Sequence, residues 1–159
     1  MLYTAAGPEI AVASTKAYTT QLSVFYLVVA KMALLRGVYT EEQTKSFIAE
    51  LERVPEVMQK VLEKRRDIHV IAKKILEAKD LFMIGRGLDY SILLEGSLKL
   101  KEVSYIHSEA YASGELKHGP IALITTNTPV VATVTQEKLM SKELSNICLL
   151  YTSDAADDK

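Results

Sequence analysis

Between Lys99 and Pro120 the chain reads KLKEVSYIHSEAYASGELKHGP, with three lysines, three glutamates and two histidines in one short stretch. Groups of these types move protons and hold charge, so their arrangement decides whether they form a surface or a site. Glu95, Lys99 and Glu102 follow at steps of four and three, which places them on one helical stripe beside the apolar Gly96, Leu100 and Val103. One reading of that stripe is an exposed ladder of ion pairs, each contributing about 0.3–0.5 kcal/mol. Spacing alone favours the ladder. The context favours a site: LFMIG (81–85) reads as a short buried strand that runs through Gly85-Arg86-Gly87 into the helix carrying these charges. In α/β proteins the crevice beside such a helix start commonly binds ligands. The following SEAYASGELKHGP is expected to return over it as a loop, with His118 fixed by Gly119-Pro120. By itself Gly85-x-Gly87 marks only a tight turn, because the third glycine of a dinucleotide fingerprint is missing.

The remaining elements must position that helix. Gly7-Pro8 makes a turn and Ser14 reads as the N-cap of a helix running to Leu35, stopped at Gly37. That helix is apolar nearly all round and is expected to be deeply buried. Its charge-free run, Ala17 to Ala30, is too short to span a bilayer and is flanked by Lys16 and Lys31. From Thr40 to Ala78 the pattern is amphipathic, with Thr40 as a cap and Pro55 restarting a helix. After the charged helix, expected from Ser91 to Ser104, PVVATV (129–134) reads as a second strand and QEKLMSKELSNI as a further helix. Strands alternating with helices predict a parallel α/β sheet covered on both faces. After Tyr151 the chain is polar and acidic with no helical or strand period, which predicts a disordered or foreign end.

Composition narrows the partners. The 159 residues are about half apolar and a quarter charged, with 19 Lys and Arg against 20 Asp and Glu. No block of one sign marks a surface for nucleic acid or an anionic membrane. No secretory signal opens the chain, and one cysteine, Cys148, excludes a disulfide framework, so a cytoplasmic setting is expected. No His/Cys/Asp cluster has metal-ligand spacing and no serine-nucleophile motif occurs, so a metal is not expected.

Three ordered motifs, AGPEIAVASTKAYTTQL, IGRGLDYSILLEG and EGSLKLKEVSYIHSEAYASGELKHGPIALI, closely resemble the isomerase part of the glutamine:fructose-6-phosphate aminotransferase family, over residues 4 to 147. The resemblance implies sugar-isomerase (SIS) domains, each a doubly wound parallel sheet between helices. It divides the chain into the end of a first SIS domain (1–40), a helical connector (41–78), the first half of a second SIS domain (79–147) and a foreign or disordered tail (148–159). It implies that Met1 is not the native start. A glutaminase domain, a phosphate-binding Ser/Thr loop and a Schiff-base lysine of the family would then lie outside this stretch.

The same resemblance implies roles. Glu102 matches the carboxylate that moves a proton between C1 and C2 of the open-chain sugar. Lys99 matches a lysine near the reacting carbons, and its competing role is salt-bridge partner of Glu95. His118 matches a histidine of ring opening, supplied by the neighbouring subunit of a homodimer. Val12 and Ser14 match backbone and hydroxyl contacts to the bound sugar phosphate. His107 reads as a structural, hydrogen-bonded histidine, and His69 has no role. Two other readings remain open: a SIS isomerase or deglycase without a glutaminase, and the sugar-phosphate-sensing module of a transcriptional regulator.

Overall fold

The structure is a computed structural model that describes residues 1–154, arranged as two compact units, 1–73 and 74 onward. In the first unit, helix α1 (Thr15–Leu35) ends where Gly37 takes a left-handed φ of 67°. That turn lets the Val38 and Gly37 amides bond the carbonyls of Ala33 (2.9 Å) and Leu34 (3.1 Å), which satisfies two carbonyls that the helix leaves open. Helix α2 (Glu41–Glu63) opens on a reciprocal cap: the Gln43 amide donates to the Thr40 hydroxyl, and the Thr40 amide to the Gln43 side chain. The two helices meet through Tyr26 and Phe47, whose ring centres lie 6.2 Å apart.

Three expectations fail here. Of α1 only Ala30 is buried, while Phe25, Val29, Met32 and Leu35 face out, because within this unit its main packing partner is the one helix α2. At 21 residues α1 is also long and apolar enough, by length and composition, to cross a bilayer, since the helix extends beyond its charge-free run and includes Lys16 and Lys31. Pro55 does not restart a helix. It sits inside α2, and the break comes at Lys64, before α3 (Arg65–Ile75).

The second unit is built on three parallel strands. β1 (Asp80–Gly85) lies between β2 (His107–Ala112) and β3 (Val130–Ala132), giving the order β2-β1-β3. Asp80 pairs with His107 and Phe82 with both Glu109 and Val130. Helix α4 (Leu88–Ser104) carries the chain back from the end of β1 to the start of β2, the crossover that parallel strands require. Two 3-10 helices, Ser113–His118 and Pro120–Leu123, lead to β3, and α5 (Met140–Asp154) follows. Leu81, Phe82, Ile84, Leu93 and Leu116 form the buried centre.

β2 occupies HSEAYA, of which the part from Ser108 on is expected from sequence to be loop. His107, Glu109 and Tyr111 lie on one face and the small Ser108, Ala110 and Ala112 on the other, so no apolar alternation announces it; pairing with β1 along its whole length makes it a strand. β3 is shorter than PVVATV, though bonds from the Phe82 amide to Pro129 and from the Thr133 amide to Ile84 continue its ladder. The α4 helix begins at Leu88, three residues before the expected start. α5 runs on through Cys148 to Asp154, so the segment expected to be irregular is helical that far, and 155–159 lie outside the described residues.

Gly85 sets how closely α4 approaches the sheet. A Cβ there would fall 2.9 Å from backbone atoms of Asp89 and Tyr90. Gly85→Ala is therefore expected to destabilise the second unit by about 1–3 kcal/mol, read as a lower denaturation midpoint; an unchanged midpoint would show that α4 can move away freely.

Candidate active site on helix α4

Lys99 lies between two carboxylates. Its Nζ is 2.8 Å from Glu102 Oε2 and 3.2 Å from Glu95 Oε1, and the three side chains keep only 20–24% of their exposure. The stripe is thus not a fully solvated ladder. The hydrogen bond that Lys99 donates to Glu102 holds the ammonium above its ordinary range; partial burial opposes this and Glu95 adds to it. Lys99 stays a cation across neutral pH and is no base. Glu102 spends one oxygen on Lys99, and its Oε1 is free of hydrogen bonds to the described residues. A carboxylate kept beside a permanent cation, with one oxygen open, can accept a proton from a nearby carbon and give it back.

The location differs from the expected one. Glu102 lies fourteen residues into α4, about 21 Å along it from the helix start. The crevice at the carboxyl ends of β1 and β3 is filled by the chain itself. Asp89, buried in the first turn of α4, accepts from the Thr135 amide at 2.9 Å and from the Thr135 hydroxyl. Gln136 donates to the Arg86 carbonyl at 2.6 Å and lies against Gly87. The dense charge cluster therefore belongs to the far end of α4, away from the switch point of the strand order.

His118 closes the first 3-10 helix and is exposed, followed by Gly119 at φ 142°. Glu102 precedes the start of β2, whereas His118 follows its end. A six-residue strand spans about 17–20 Å, and no hydrogen bond or ion pair joins the two residues. In the first unit Ser14 holds the N-cap position of α1 without capping it. Its backbone is left-handed, φ 48°, and its hydroxyl donates to the Val12 carbonyl at 3.2 Å, so the expected cap bond is absent. Val12 is exposed.

Comparison with known proteins places this geometry. The family model for the SIS domain matches residues 74–150, nearly the whole of the described second unit. The second unit has the SIS domain fold. Across both units the chain is 52% identical over 147 residues to "Glutamine--fructose-6-phosphate aminotransferase [isomerizing]" of Caldanaerobacter subterraneus subsp. tengcongensis, covering 92% of this chain and 24% of that protein. It is 53% identical over 155 residues to the protein of the same name from Clostridium tetani, covering 98% and 26%. That coverage carries the match past Ile147, into the segment set apart as foreign. Among solved structures, the "C-terminal domain of glucosamine-fructose-6-phosphate aminotransferase from Francisella tularensis" superposes with a TM-score of 0.84 at 44% identity, over 92% of this chain and 41% of that one. The chain spans about a quarter of the length of the curated relatives it matches.

Within the SIS domain the sequence reading missed a polar run along one face of β2. His107 sits with Nδ1 3.0 Å from Asp80 Oδ1 and Nε2 3.5 Å from Glu109, and the Tyr111 hydroxyl donates to Glu109. His107 is hydrogen-bonded, as a structural histidine would be. The period-two spacing of His107, Glu109 and Tyr111 was the available signal, obscured by the absence of large apolar partners between them.

Asp89 gives the SIS domain an acid-sensitive joint. Burial raises its carboxyl, but the hydrogen bonds from Thr135 and Gln136 outweigh burial and hold it below the ordinary 3.8. A lowered folded value means stability that is present above about pH 4 and lost as pH falls through that lowered value. Stability measured by urea denaturation should therefore drop on acidification below about pH 4 more steeply in the wild type than in Asp89→Asn; identical acid limbs would contradict the assignment.

Proposed function

We propose that this chain is part of the sugar-isomerase region of an enzyme that converts fructose 6-phosphate and glutamine to glucosamine 6-phosphate and glutamate. The observation that carries the reading is the Lys99–Glu102 pair, a shielded carboxylate with one open oxygen beside a fixed cation. The names of relatives about half identical to this chain support the choice of substrate. In this reading Glu102 takes the proton from C1 of the open-chain aminated sugar and returns it to C2, and Lys99 steadies the negative charge that develops on the neighbouring oxygen. The step moves a proton and calls for no redox or metal cofactor. Val12 contributes a backbone contact to the sugar and Ser14 a hydroxyl contact, in which the oxygen accepts from the sugar while its proton stays directed at the Val12 carbonyl.

His118 serves ring opening, a task suited to imidazole near neutral pH. Its departure from the opposite end of β2 to Glu102 favours a site shared between two copies in a homodimer, where His118 of one copy meets Glu102 of the other. A cytoplasmic setting, with no nucleic acid or membrane partner, completes the reading. The alternative SIS enzymes and sensor modules gain no separate support from the geometry.

Glu102→Gln in the full-length enzyme is expected to lower turnover by about a hundredfold or more while the affinity for fructose 6-phosphate, measured by calorimetry, changes little. Turnover above roughly a tenth of wild type would remove Glu102 from the role of proton carrier.

A further inference from the structure

His118 is carried by a 3-10 helix of six residues, Ser113–His118, an element with poor hydrogen-bond geometry of its own. What fixes its rotation must come from outside. With three residues per turn, Ser113 and Leu116 share one stripe while Glu115 and His118 share another. The burial agrees: Ser113 and Leu116 are each 2% exposed, whereas Glu115 and His118 are open to solvent. Leu116 supplies apolar contact, which has no direction. Ser113 supplies direction. Its hydroxyl donates to Glu143 Oε2 and accepts from Asn146 Nδ2 at 3.0 Å, two groups three residues apart on α5.

Glu143 is a costly choice for that place. It is 1% exposed, and its Oε1 has no hydrogen-bond partner. A buried carboxylate with one of its two oxygens unbonded is less stable than a well-packed apolar side chain of similar size. It gives an orientation that an apolar side chain could not. We propose that Glu143, acting through Ser113 with Asn146, is a positioning residue that sets the rotation of the 3-10 helix and so aims His118. This rests on the ring-opening role assigned to His118 above, and it adds a residue from α5 that touches no reacting atom.

The test uses the 159-residue chain, whose three histidines, His69, His107 and His118, give separable ring signals by NMR. In the double variant Ser113→Ala, Glu143→Leu, the melting temperature is expected to be no lower than wild type. Amides 113–118 should exchange about tenfold faster or more, and the His118 ring signals should shift or broaden while those of His69 and His107 stay put. Glu143→Gln, which keeps an acceptor for Ser113, should restore the wild-type pattern. If the leucine variant does not fold, Ser113→Ala alone removes the directed bond and is read in the same way. Unchanged exchange and ring signals would overturn the proposal. So would a loss of stability that perturbs all three histidines, because the clasp would then be a general staple. In the full-length enzyme the double variant should lower kcat with little change in KM, and His118→Ala is measured beside it. Full activity of His118→Ala would refute the role of His118, while the NMR comparison would still decide the clasp.

Discussion

The second unit depends on the inward stripe of α4, formed by Asp89, Leu93 and Ser97 at helical steps of four, all buried. Leu93 is its apolar member. The two polar members are held at opposite ends of this stripe, Asp89 by Thr135 and Ser97 by a reciprocal pair of 2.8 Å bonds with Ser108 of β2. Leaving either group unpaired in the interior would cost about 1–3 kcal/mol, so these bonds fix the rotation of the helix as well as its place. Glu95, Lys99 and Glu102 stand about 140–160° around the helix from Ser97, and are therefore turned away from the sheet. The orientation of the charge cluster follows from what the opposite face must bury.

The sheet then separates the candidate groups. Because β1 and β2 are parallel, α4 has to return along the sheet before β2 begins, which brings Glu102 to one edge. β2 in turn delivers the 3-10 helix and His118 from the other edge. The crevice where a ligand is first sought in such a fold is occupied by Asp89, Thr135, Gln136 and Gly87. A chemistry that needs both the carboxylate and the imidazole is more easily completed by a second copy than by closing one copy on itself.

Elements whose local signals agreed with their packing were legible in the sequence. LFMIG is short, apolar and ended by glycine, and it became the central strand; Thr40 and Gln43 formed a full capping box. The helical spacing of Lys99 and Glu102 correctly brought them into contact. What escaped depended on partners distant in sequence. β2 is a strand because β1 lies beside it, and the burial of α1 cannot be inferred from its composition when α2 is its main packing partner in this unit. Ser14 had the residue type of a cap, yet its left-handed backbone sends the hydroxyl to Val12. The charge cluster was legible in residue type and spacing but lies at the other end of the helix from the one expected, since a strand-glycine-helix pattern locates only the helix start.

The most direct measurement of the central claim is complementation between two inactive full-length variants, Glu102→Gln and His118→Ala, refolded together in equal amounts and assayed for glucosamine 6-phosphate. In a mixed dimer with shared sites, one site carries both defects and the other carries none. Random pairing makes about half of the dimers mixed, so about a quarter of all sites should regain activity. Activity that stays at the level of the separate variants, with mixed dimers verified by differential tags, would contradict the account and place Glu102 and His118 in the same chain's site or His118 in none.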